Sequence, residues 1–297
     1  MRILVTGGTG FVGRWAVVSL RQAGHEVFVV SRQGESQAQT VQGNLLDIDC
    51  ADAVVSALRP EIILHIGWCV EHGTFWHSEE NLDWVAATLR LAQAAVRHNV
   101  RRFIGVGTCF EYDWPALSDC NELSTPLKPT SLYAVSKDAA RRILTDFTQL
   151  VKIEFAWARL FYLFGPHEGP DRFVSSICRK LAAGEIAQMS SGIKIRDFLD
   201  VREAGAALAK IATSGLTGEI NIGSGIGHTI GNIGRMLARA SGNEAQLRIG
   251  AFPDRENEPP RIVADTTRLT EELGFKFQKS VEIRLAETLD WWKQHKT

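Results

Sequence analysis

The feature that most constrains the fold is a glycine-rich segment near the N-terminus. Residues 3–6 form a short apolar run typical of a buried strand, and residues 6–13 (TGGTGFVG) connect it to a helical pattern. Gly7, Gly10 and Gly13 permit a tight turn, a close approach to a pyrophosphate, and close packing of the helix on the strand. The N–H groups of the helix N-terminus, here around Phe11 and Val12, attract anions. The segment therefore predicts a dinucleotide-binding site.

The rest of the first half alternates strand-like and helix-like patterns. Apolar, β-branched runs predict strands at 3–6, 27–30, 62–66, 103–106 and 153–158, and helical periodicity predicts helices near 11–23, 51–58, 79–98 and 132–149. Such alternation is typical of βαβ units whose parallel strands are covered on both faces. We expect an α/β fold with a doubly wound parallel sheet of the Rossmann type.

The alternation becomes less regular where Gly-Pro pairs occur at 165–166 and 169–170. Gly-Pro pairs mark turns and loops. We therefore expect a dinucleotide-binding domain over 1–165 and a smaller α/β substrate-binding domain over 166–297, with some later segments returning to the first domain. Helices are predicted near 172–183, 201–213, 230–241 and 280–295.

Composition excludes several classes of protein. The 33 basic and 34 acidic side chains nearly balance, so no overall field favours nucleic acid or an anionic membrane. The five cysteines include no CxxC pair, which argues against a disulfide framework or a structural zinc site. No HExxH motif or acidic cluster predicts a metal site. With no apolar stretch of about 18 residues and no room for a signal peptide before the first strand, we expect a cytoplasmic protein.

The end of the second strand bears on the choice of dinucleotide. An acidic residue about 20 positions beyond the glycines commonly binds the ribose of NAD. This chain instead has Ser31 and Arg32, a hydroxyl and a guanidinium that suit a 2′-phosphate, and Arg14 offers a second cation. We expect NADP(H), with NAD(H) as the alternative if Arg32 is only a solvated loop residue.

Residues 43–47 (GNLLD) follow a third short strand. Their position predicts that Asn44 and Leu45 flank the adenine. An ordinary turn leading to a helix cap at Asp47 explains the same residues equally well.

Tyr133 and Lys137 are four residues apart on a predicted helix and therefore share one face. A phenol has a pKa near 10 in water, so it transfers protons at neutral pH only if its anion is stabilised. Lys137 supplies a stabilising charge. We also expect Tyr133 and Lys137 to contact the cofactor, with the Lys137 ammonium holding the nicotinamide ribose. Thr108, at the end of the fifth strand, is placed to hydrogen-bond a substrate oxygen.

These segments together resemble the extended short-chain dehydrogenase/reductases, and more narrowly the nucleotide-sugar epimerase/dehydratase family. The resemblance also includes residues 159–166 (RLFYLFGP), 196–201 (RDFLDV) and 221–225 (NIGSG). It implies a Thr108, Tyr133 and Lys137 triad with Asn81 as a fourth member. It further implies a nucleotide-diphosphate sugar as substrate and a homodimer.

The resemblance also suggests how the substrate is held. Arg196 matches the arginine that commonly binds the sugar-nucleotide diphosphate, whereas Tyr162 replaces an asparagine that many relatives have. Arg172 and Arg261 are further candidates for diphosphate binding, against the alternative of surface charges. His167, in the loop after the first Gly-Pro pair, is a candidate substrate contact.

Three reactions known in this family begin with hydride transfer near carbon 4 of the sugar. In 4,6-dehydratases an Asp-Glu pair follows the catalytic threonine, whereas this chain has Cys109 and Phe110, which disfavours dehydration. The expected NADP(H) favours a reductase of a nucleotide-linked 4-keto-6-deoxysugar, with hydride delivered to C4 and Tyr133 donating the proton. A C4 epimerase that retains NAD is the alternative. A non-catalytic dinucleotide sensor is disfavoured by the intact Thr108, Tyr133 and Lys137.

Overall fold

The computed structural model describes residues 1–33, 39–114, 118–254 and 258–295. Its main sheet contains seven strands, numbered along the whole chain: β1 (Arg2–Thr6), β2 (Glu26–Ser31), β3 (Thr40–Gln42), β4 (Ile62–His65), β5 (Arg102–Thr108), β6 (Glu154–Leu160) and β10 (Gly218–Ile222). Their order is β10-β6-β5-β4-β1-β2-β3, and all neighbours are parallel. The predicted α/β Rossmann fold is confirmed.

Helices cover both faces of this sheet: α1 (Gly13–Gln22), α2 (Cys50–Leu58), α3 (Glu80–Arg97), α4 (Leu132–Val151) and α6 (Val201–Thr213). One apolar core joins α1 and α6 to the sheet, and a second core joins α2, α3 and α4 to its other face. Strand order reverses between β1 and β4. Ligands of open α/β sheets bind in the crevice beyond the carboxyl ends of the strands at such a reversal.

The remaining elements form a smaller layer: β7 (Tyr162–Phe164), α5 (Phe173–Ala183), β8 (Ala187–Met189), β9 (Ile195–Asp200), β11 (Gly227–Thr229), α7 (Ile230–Ser241), β12 (Leu247–Ile249), β13 (Arg261–Ile262) and α8 (Val281–Gln294). Strand β9 pairs with β7, β11 and β13, and β8 pairs with β12. Helices α5, α7 and α8 share a third apolar core.

The chain beyond residue 165 contributes to both layers. Strand β10 pairs with β6 at the edge of the main sheet, and α6 packs directly on α1. A methyl group at Gly205 of α6 would lie 2.6 Å from the backbone of Trp15, so the two helices approach closely. The five cysteines are all free thiols. Within the described ranges, no helix combines the length and apolarity needed to cross a bilayer.

Candidate active site

The glycine loop lies between β1 and α1 at the strand reversal. Gly7 has a φ of +69°, and a Cβ there would lie 2.8 Å from the backbone nitrogen of Gly67. A Cβ at Gly13 would overlap the carbonyl of Gly7. Arg14 folds back along the loop, where its Nη2 donates to the carbonyl of Thr9 at 3.0 Å. The glycines thus let the loop pack closely against Gly67 and against itself at the N-terminus of α1, which Phe11 and Val12 precede.

The residues predicted to contact the adenosine half lie at the β2–β3 edge of the sheet. Ser31 is buried, and its hydroxyl donates to the carbonyl of Gln33 at 2.8 Å, whereas Arg32 is exposed. Asn44 closes a turn by accepting from the N–H of Leu46. Leu45 is 5% exposed and belongs to the core beneath β2. Asn44 thus makes the turn contact of the alternative interpretation, whereas the helix cap that it placed at Asp47 is at Asp49, without a side-chain hydrogen bond.

The predicted triad converges at the carboxyl end of β5. Ser131 caps α4 by accepting from the N–H of Ala134 at 3.2 Å, which fixes the start of the helix that carries Tyr133 and Lys137. The Thr108 hydroxyl lies close enough to the Tyr133 hydroxyl to influence its pKa. The Nζ of Lys137 donates to the carbonyl of Val106 at 2.7 Å. A carbonyl oxygen bound here would meet two hydroxyl groups from different elements.

The environment shifts the proton equilibria of this pair in opposite directions. Burial raises the pKa of Tyr133 well above its usual value, and the hydrogen bond to Thr108 opposes that shift. Burial lowers the pKa of Lys137 to about 7, and the negative charge of Glu111 opposes that shift. The phenol thus holds a proton that it can donate, beside an amine whose charge is sensitive to pH near neutrality.

Asn81 is connected to Lys137 through Trp68. The Nζ of Lys137 lies 3.8 Å from the centroid of a Trp68 ring, a cation–π contact. The indole N–H of Trp68 donates to Oδ1 of Asn81 at 2.8 Å. The amide nitrogen of Asn81 donates to the carbonyls of Phe75 and Ser78, each at 2.8 Å. Asn81 therefore also fixes the loop that leads into α3.

A set of aromatic side chains lines the site next to Tyr133, and we call it the aromatic wall: Phe75, Trp76, Phe110, Trp114 and Tyr162. The Phe75 and Trp76 rings meet the Tyr133 ring edge-on at 4.9 and 5.8 Å between centroids. The Phe110 ring lies 4.7 Å from that of Trp76, 5.6 Å from that of Trp114 and 5.9 Å from that of Tyr162. Sequence reasoning named only Tyr162 of this group as a binding residue, because these rings are scattered along the chain.

Two of the predicted diphosphate arginines lie on neighbouring strands of the small sheet. Arg196 on β9 is buried, its Nη1 donates to the carbonyls of Ile195 and Pro259 at 2.8 and 2.9 Å, and its Cζ lies 5.6 Å from the Tyr162 ring centroid. Arg261 on β13 forms an ion pair with Asp119. In this structure both guanidinium groups bond to protein oxygens.

Arg172 and His167 occupy different surroundings. Arg172 precedes α5, with its Cζ 5.6 Å from the Phe75 ring centroid, and its charge lowers the pKa of Tyr133 slightly against the larger effect of burial. The His167 ring contacts that of Trp291 at 4.9 Å and faces that of Trp15 at 6.4 Å. His167 thus lies toward α1 and the glycine loop, and Arg172 toward the triad.

A buried ion pair behind Thr108 was not predicted. Nε of Arg159 on β6 donates to Oε2 of Glu111 at 2.7 Å, and neither side chain is more than 1% exposed. Glu111 belongs to a capping box whose other member is Thr108. The Thr-x-x-Glu spacing directly after a predicted strand is the sequence signal that could have revealed this residue.

The groups nearest the triad offer no second acid or base at position 109. Burial raises the pKa of the Cys109 thiol well above its usual value, so the thiol stays protonated at neutral pH. The next residue, Phe110, has no titratable group. No cluster of three or more His, Cys, Asp or Glu residues that could hold a metal ion occurs in the described part of the chain.

Comparison with known proteins agrees with this geometry. A model of the NAD dependent epimerase/dehydratase family matches residues 3–223, and the chain belongs to this family of extended short-chain dehydrogenase/reductase enzymes. A dTDP-glucose 4,6-dehydratase from an Actinoplanes species is 29% identical over 100% of this chain and 99% of its own length. A dTDP-6-deoxy-L-talose 4-dehydrogenase (NAD(+)) from Aggregatibacter actinomycetemcomitans is 24% identical over 76% of this chain and 85% of that protein.

The fold is shared with solved structures of the family. The UDP-glucose 4-epimerase of Thermus thermophilus in complex with NAD superposes with a TM-score of 0.87 at 22% identity, covering 99% of this chain and 100% of that chain. Such low identity establishes the architecture and leaves the reaction open. The strand reversal and the glycine loop thus belong to a fold that holds NAD in that neighbour.

Proposed function

We propose that this enzyme is an NADPH-dependent reductase of a nucleotide-linked 4-keto-6-deoxysugar. The observation that carries the proposal is the aromatic wall beside the hydroxyls of Thr108 and Tyr133. A ketone bound between these hydroxyls receives a hydride at C4, and its oxygen takes the proton of Tyr133. Lys137 stabilises the phenolate that remains.

The wall constrains the carbon next to the reacting ketone. A carbonyl oxygen that reaches both hydroxyls lies beside Tyr133, whose ring contacts Phe75 and Trp76, and beside the turn that carries Phe110. A methyl group gains from burial against aromatic rings. A hydroxymethyl group would lose its hydrogen bonds to water against the hydrocarbon faces of Phe75 and Phe110. The wall therefore favours a 6-deoxy sugar.

The surroundings of Thr108 argue against 4,6-dehydration. That reaction requires an acid/base pair in addition to the hydride machinery, and the protonated, buried Cys109 and the hydrocarbon Phe110 supply neither member. The Aggregatibacter relative supports a reductase, since its name specifies a dehydrogenase at position 4 of a dTDP-linked 6-deoxy sugar. A dehydrogenase of that kind, run in reverse, is a 4-keto reductase.

The choice of NADP(H) is supported by the end of β2. Arg32 is exposed directly after the strand. The buried Ser31 donates a hydrogen bond to the carbonyl of Gln33 and so closes a turn around Arg32. An exposed guanidinium suits a 2′-phosphate through a charge-assisted contact. Arg32→Asp should therefore reverse the preference from NADPH towards NADH, and an unchanged ratio of the two kcat/KM values would mean that Arg32 faces solvent.

The substrate is proposed to be a nucleotide-diphosphate sugar held by Arg172, Arg196 and Arg261. Binding would require the two paired arginines to exchange protein oxygens for phosphate oxygens, to which guanidinium groups bind strongly.

We further propose a homodimer that pairs through α3 and α4. These adjacent helices expose Leu82, Val135, Ile143 and Leu150, the last of them 81% exposed. Ile143→Glu should then yield a monomer in analytical ultracentrifugation.

The decisive experiment uses purified protein, NADPH and a 4-keto-6-deoxyhexose nucleotide made by a separate dehydratase. Stoichiometric loss of NADPH absorbance and formation of a C4 alcohol are expected. A 4-keto sugar that retains its 6-hydroxyl should react about ten- to hundredfold more slowly, the equivalent of burying one unpaired hydroxyl. Equal rates for the two ketones would contradict the proposal that the aromatic wall selects a 6-deoxy sugar.

The alternative reaction has a different outcome. An epimerase returns the hydride to the same sugar, so it interconverts fully hydroxylated sugar nucleotides without added cofactor and without net oxidation of NADPH. That result would overturn the reductase and establish a C4 epimerase. A large loss of turnover in Tyr133→Phe is the control that assigns either activity to this site.

A further inference from the structure

The carboxylate of Glu111 is fixed by three hydrogen-bond donors, one at the end of β5 and two on β6. Its Oε1 accepts from the backbone N–H of Thr108 at 2.9 Å, and its Oε2 accepts from Nε of Arg159 at 2.7 Å. The indole N–H of Trp157 lies 3.1 and 3.2 Å from the two oxygens. Glu111 is fully buried. One of the three donors is therefore the backbone of the residue that faces the substrate carbonyl.

The surrounding structure packs closely around this carboxylate. A Cβ at Gly107 would overlap both the Trp157 indole and the Glu111 carboxylate. On the far side, Nη1 of Arg159 donates to the Tyr112 hydroxyl at 3.1 Å. That hydroxyl donates to Oδ1 of Asn221 on β10 at 2.8 Å. The turn after β5 is thereby tied to two neighbouring strands of the sheet.

Glu111 also acts on Lys137 through its charge. The ammonium of Lys137 contacts the Val106 carbonyl and the Trp68 ring, and the ionisable groups around it are Glu111, His65 and Tyr133. His65 is held neutral by burial. The groups that interact with the Glu111 charge itself are Arg159, Tyr112, Cys109 and Tyr133. Glu111 supplies the negative charge that favours the ammonium form of Lys137.

We propose that Glu111 is a positioning residue for the hydride-transfer step. Through the backbone of Thr108 it holds the threonine hydroxyl opposite Tyr133, and its buried charge favours the ammonium form of Lys137. The inference rests on the proposed use of Thr108, Tyr133 and Lys137, and it applies equally to a reductase and to an epimerase. Glu111 touches no substrate atom in this scheme.

The test compares Glu111→Gln with Glu203→Gln. Glu203 is also a buried carboxylate paired with an arginine, Arg284, and it lies on α6 on the other face of the sheet. Both variants should lose stability to urea. We expect only Glu111→Gln to lower kcat, by roughly ten- to hundredfold, since a small displacement of a positioned group has such an effect. KM should change much less than kcat.

The pH profile separates positioning from simple loss of stability. Removing a negative charge beside Lys137 lowers its pKa further, so the ammonium is lost at a lower pH. The alkaline decline of kcat/KM, which reports the free enzyme, should therefore move to lower pH in Glu111→Gln and stay in place in Glu203→Gln. Wild-type kcat and an unmoved profile in Glu111→Gln would reduce Glu111 to a stabilising role and overturn the proposal.

Two further measurements keep the proposal testable. If Glu111→Gln does not fold, Glu111→Asp retains the charge but cannot reach as far, so it should keep the profile and lower kcat; an unchanged kcat would overturn the positioning role. If no ketosugar is turned over, the proposed reductase fails, and NADPH binding measured by fluorescence across pH still tests Glu111. NADPH binding should weaken at a lower pH in Glu111→Gln than in the wild type. An unchanged pH dependence of binding would contradict the proposed effect of the Glu111 charge on Lys137.

Discussion

At the scale of single residues, burial has opposite effects on the two groups that act together at the site. It raises the pKa of Tyr133 and lowers that of Lys137 to about 7. A protonated phenol is suited to donate a proton as an alkoxide develops, and the nearby ammonium then stabilises the phenolate. In the proposed reaction the neighbouring hydroxyls of Thr108 and Tyr133 would both contact one substrate oxygen.

Replacing Tyr133 with phenylalanine removes the proton donor and keeps the ring. The ring contacts with Phe75 and Trp76 remain possible in Tyr133→Phe, so cofactor affinity should be nearly unchanged. We expect kcat to fall by about 10²–10⁴, the contribution typical of a general acid. Steady-state kinetics and a fluorescence titration with NADPH measure the two quantities, and wild-type turnover would exclude Tyr133 from the mechanism.

His65 at the end of β4 gives the fold a specific sensitivity to acid. Its Nδ1 faces the Thr6 hydroxyl at 2.7 Å and its Nε2 faces the Thr88 hydroxyl at 2.8 Å. The Thr88 hydroxyl donates to the carbonyl of Trp84, so it accepts from Nε2–H. Burial, with a smaller contribution from the charge of Lys137, lowers the pKa of His65 from 6.5 to about 3. The imidazole is therefore a neutral structural link, as expected for a histidine that ends a core strand.

This environment predicts how stability depends on pH. Between pH 6.5 and about 3 the unfolded chain binds a proton at His65 that the folded chain does not, so the free energy of unfolding falls as the pH is lowered. The expected slope from this residue is about 1.4 kcal/mol per pH unit. Urea unfolding at several pH values should show a smaller slope for His65→Gln, and the exposed His72→Gln should keep the wild-type slope. Identical slopes in both variants would contradict the assignment.

At the scale of elements, β5 can carry the site because two of its residues lack side chains. A methyl group at Gly105 or Gly107 would overlap the indole of Trp157 on the neighbouring strand β6. The large Trp157 side chain, which is 1% exposed, fills the space above both glycines. The indole in turn reaches Glu111, so the packing of β5 on β6 and the geometry of the turn after Thr108 are coupled.

Gly107→Ala should therefore destabilise the protein. Overpacking of a core typically costs about 1–3 kcal/mol, and the added methyl would displace both the indole and the carboxylate. Gly215→Ala is the matched control because a Cβ at Gly215 meets no atom within 4 Å. Urea midpoints measure both effects. Equal midpoints for the two variants would show that the β5–β6 contact can relax.

At the scale of the whole molecule, a group of ion pairs joins the last helix to the main sheet layer. Arg284 of α8 pairs with Glu203 of α6 and with Glu287, and Arg202 pairs with both Asp200 and Glu287. Glu203 also accepts from the backbone N–H of Gln278 at 3.2 Å. Helix α8 packs on α5 and α7, so these pairs connect the small layer to the helices that cover the sheet.

Breaking this connection should lower stability more than breaking a surface ion pair. Glu203→Gln should decrease the free energy of unfolding by less than the ~3–5 kcal/mol typical of a fully buried pair, because Arg284 retains Glu287. The control is Asp290→Asn, which removes the exposed pair of Asp290 with Lys293 and should stay within about 0.5 kcal/mol of wild type. A cost for Glu203→Gln as small as that of the control would mean that the buried pair contributes nothing.

The parts of the molecule that local sequence encodes were predictable from the sequence. The helices predicted near 132–149 and 230–241 occur as Leu132–Val151 and Ile230–Ser241, because a helical face repeats within a few residues of the chain. The glycine loop and the four-residue spacing of Tyr133 and Lys137 are local for the same reason. Together they predicted the Rossmann fold, which is confirmed, the place of the proposed dinucleotide site and the shared face of the proposed catalytic pair.

Only the tertiary structure decided what surrounds that pair. The Glu111–Arg159 pair joins residues 48 positions apart. Trp68, which follows β4, contacts Lys137 on α4. The aromatic wall likewise combines rings from three separate segments. No periodicity relates such residues, since their contacts depend on strand order and on which glycines leave room for a neighbouring side chain. Burial, which sets the pKa values of Tyr133 and Lys137, is likewise a property of the assembled layers, because desolvation requires side chains from several elements to exclude water at once.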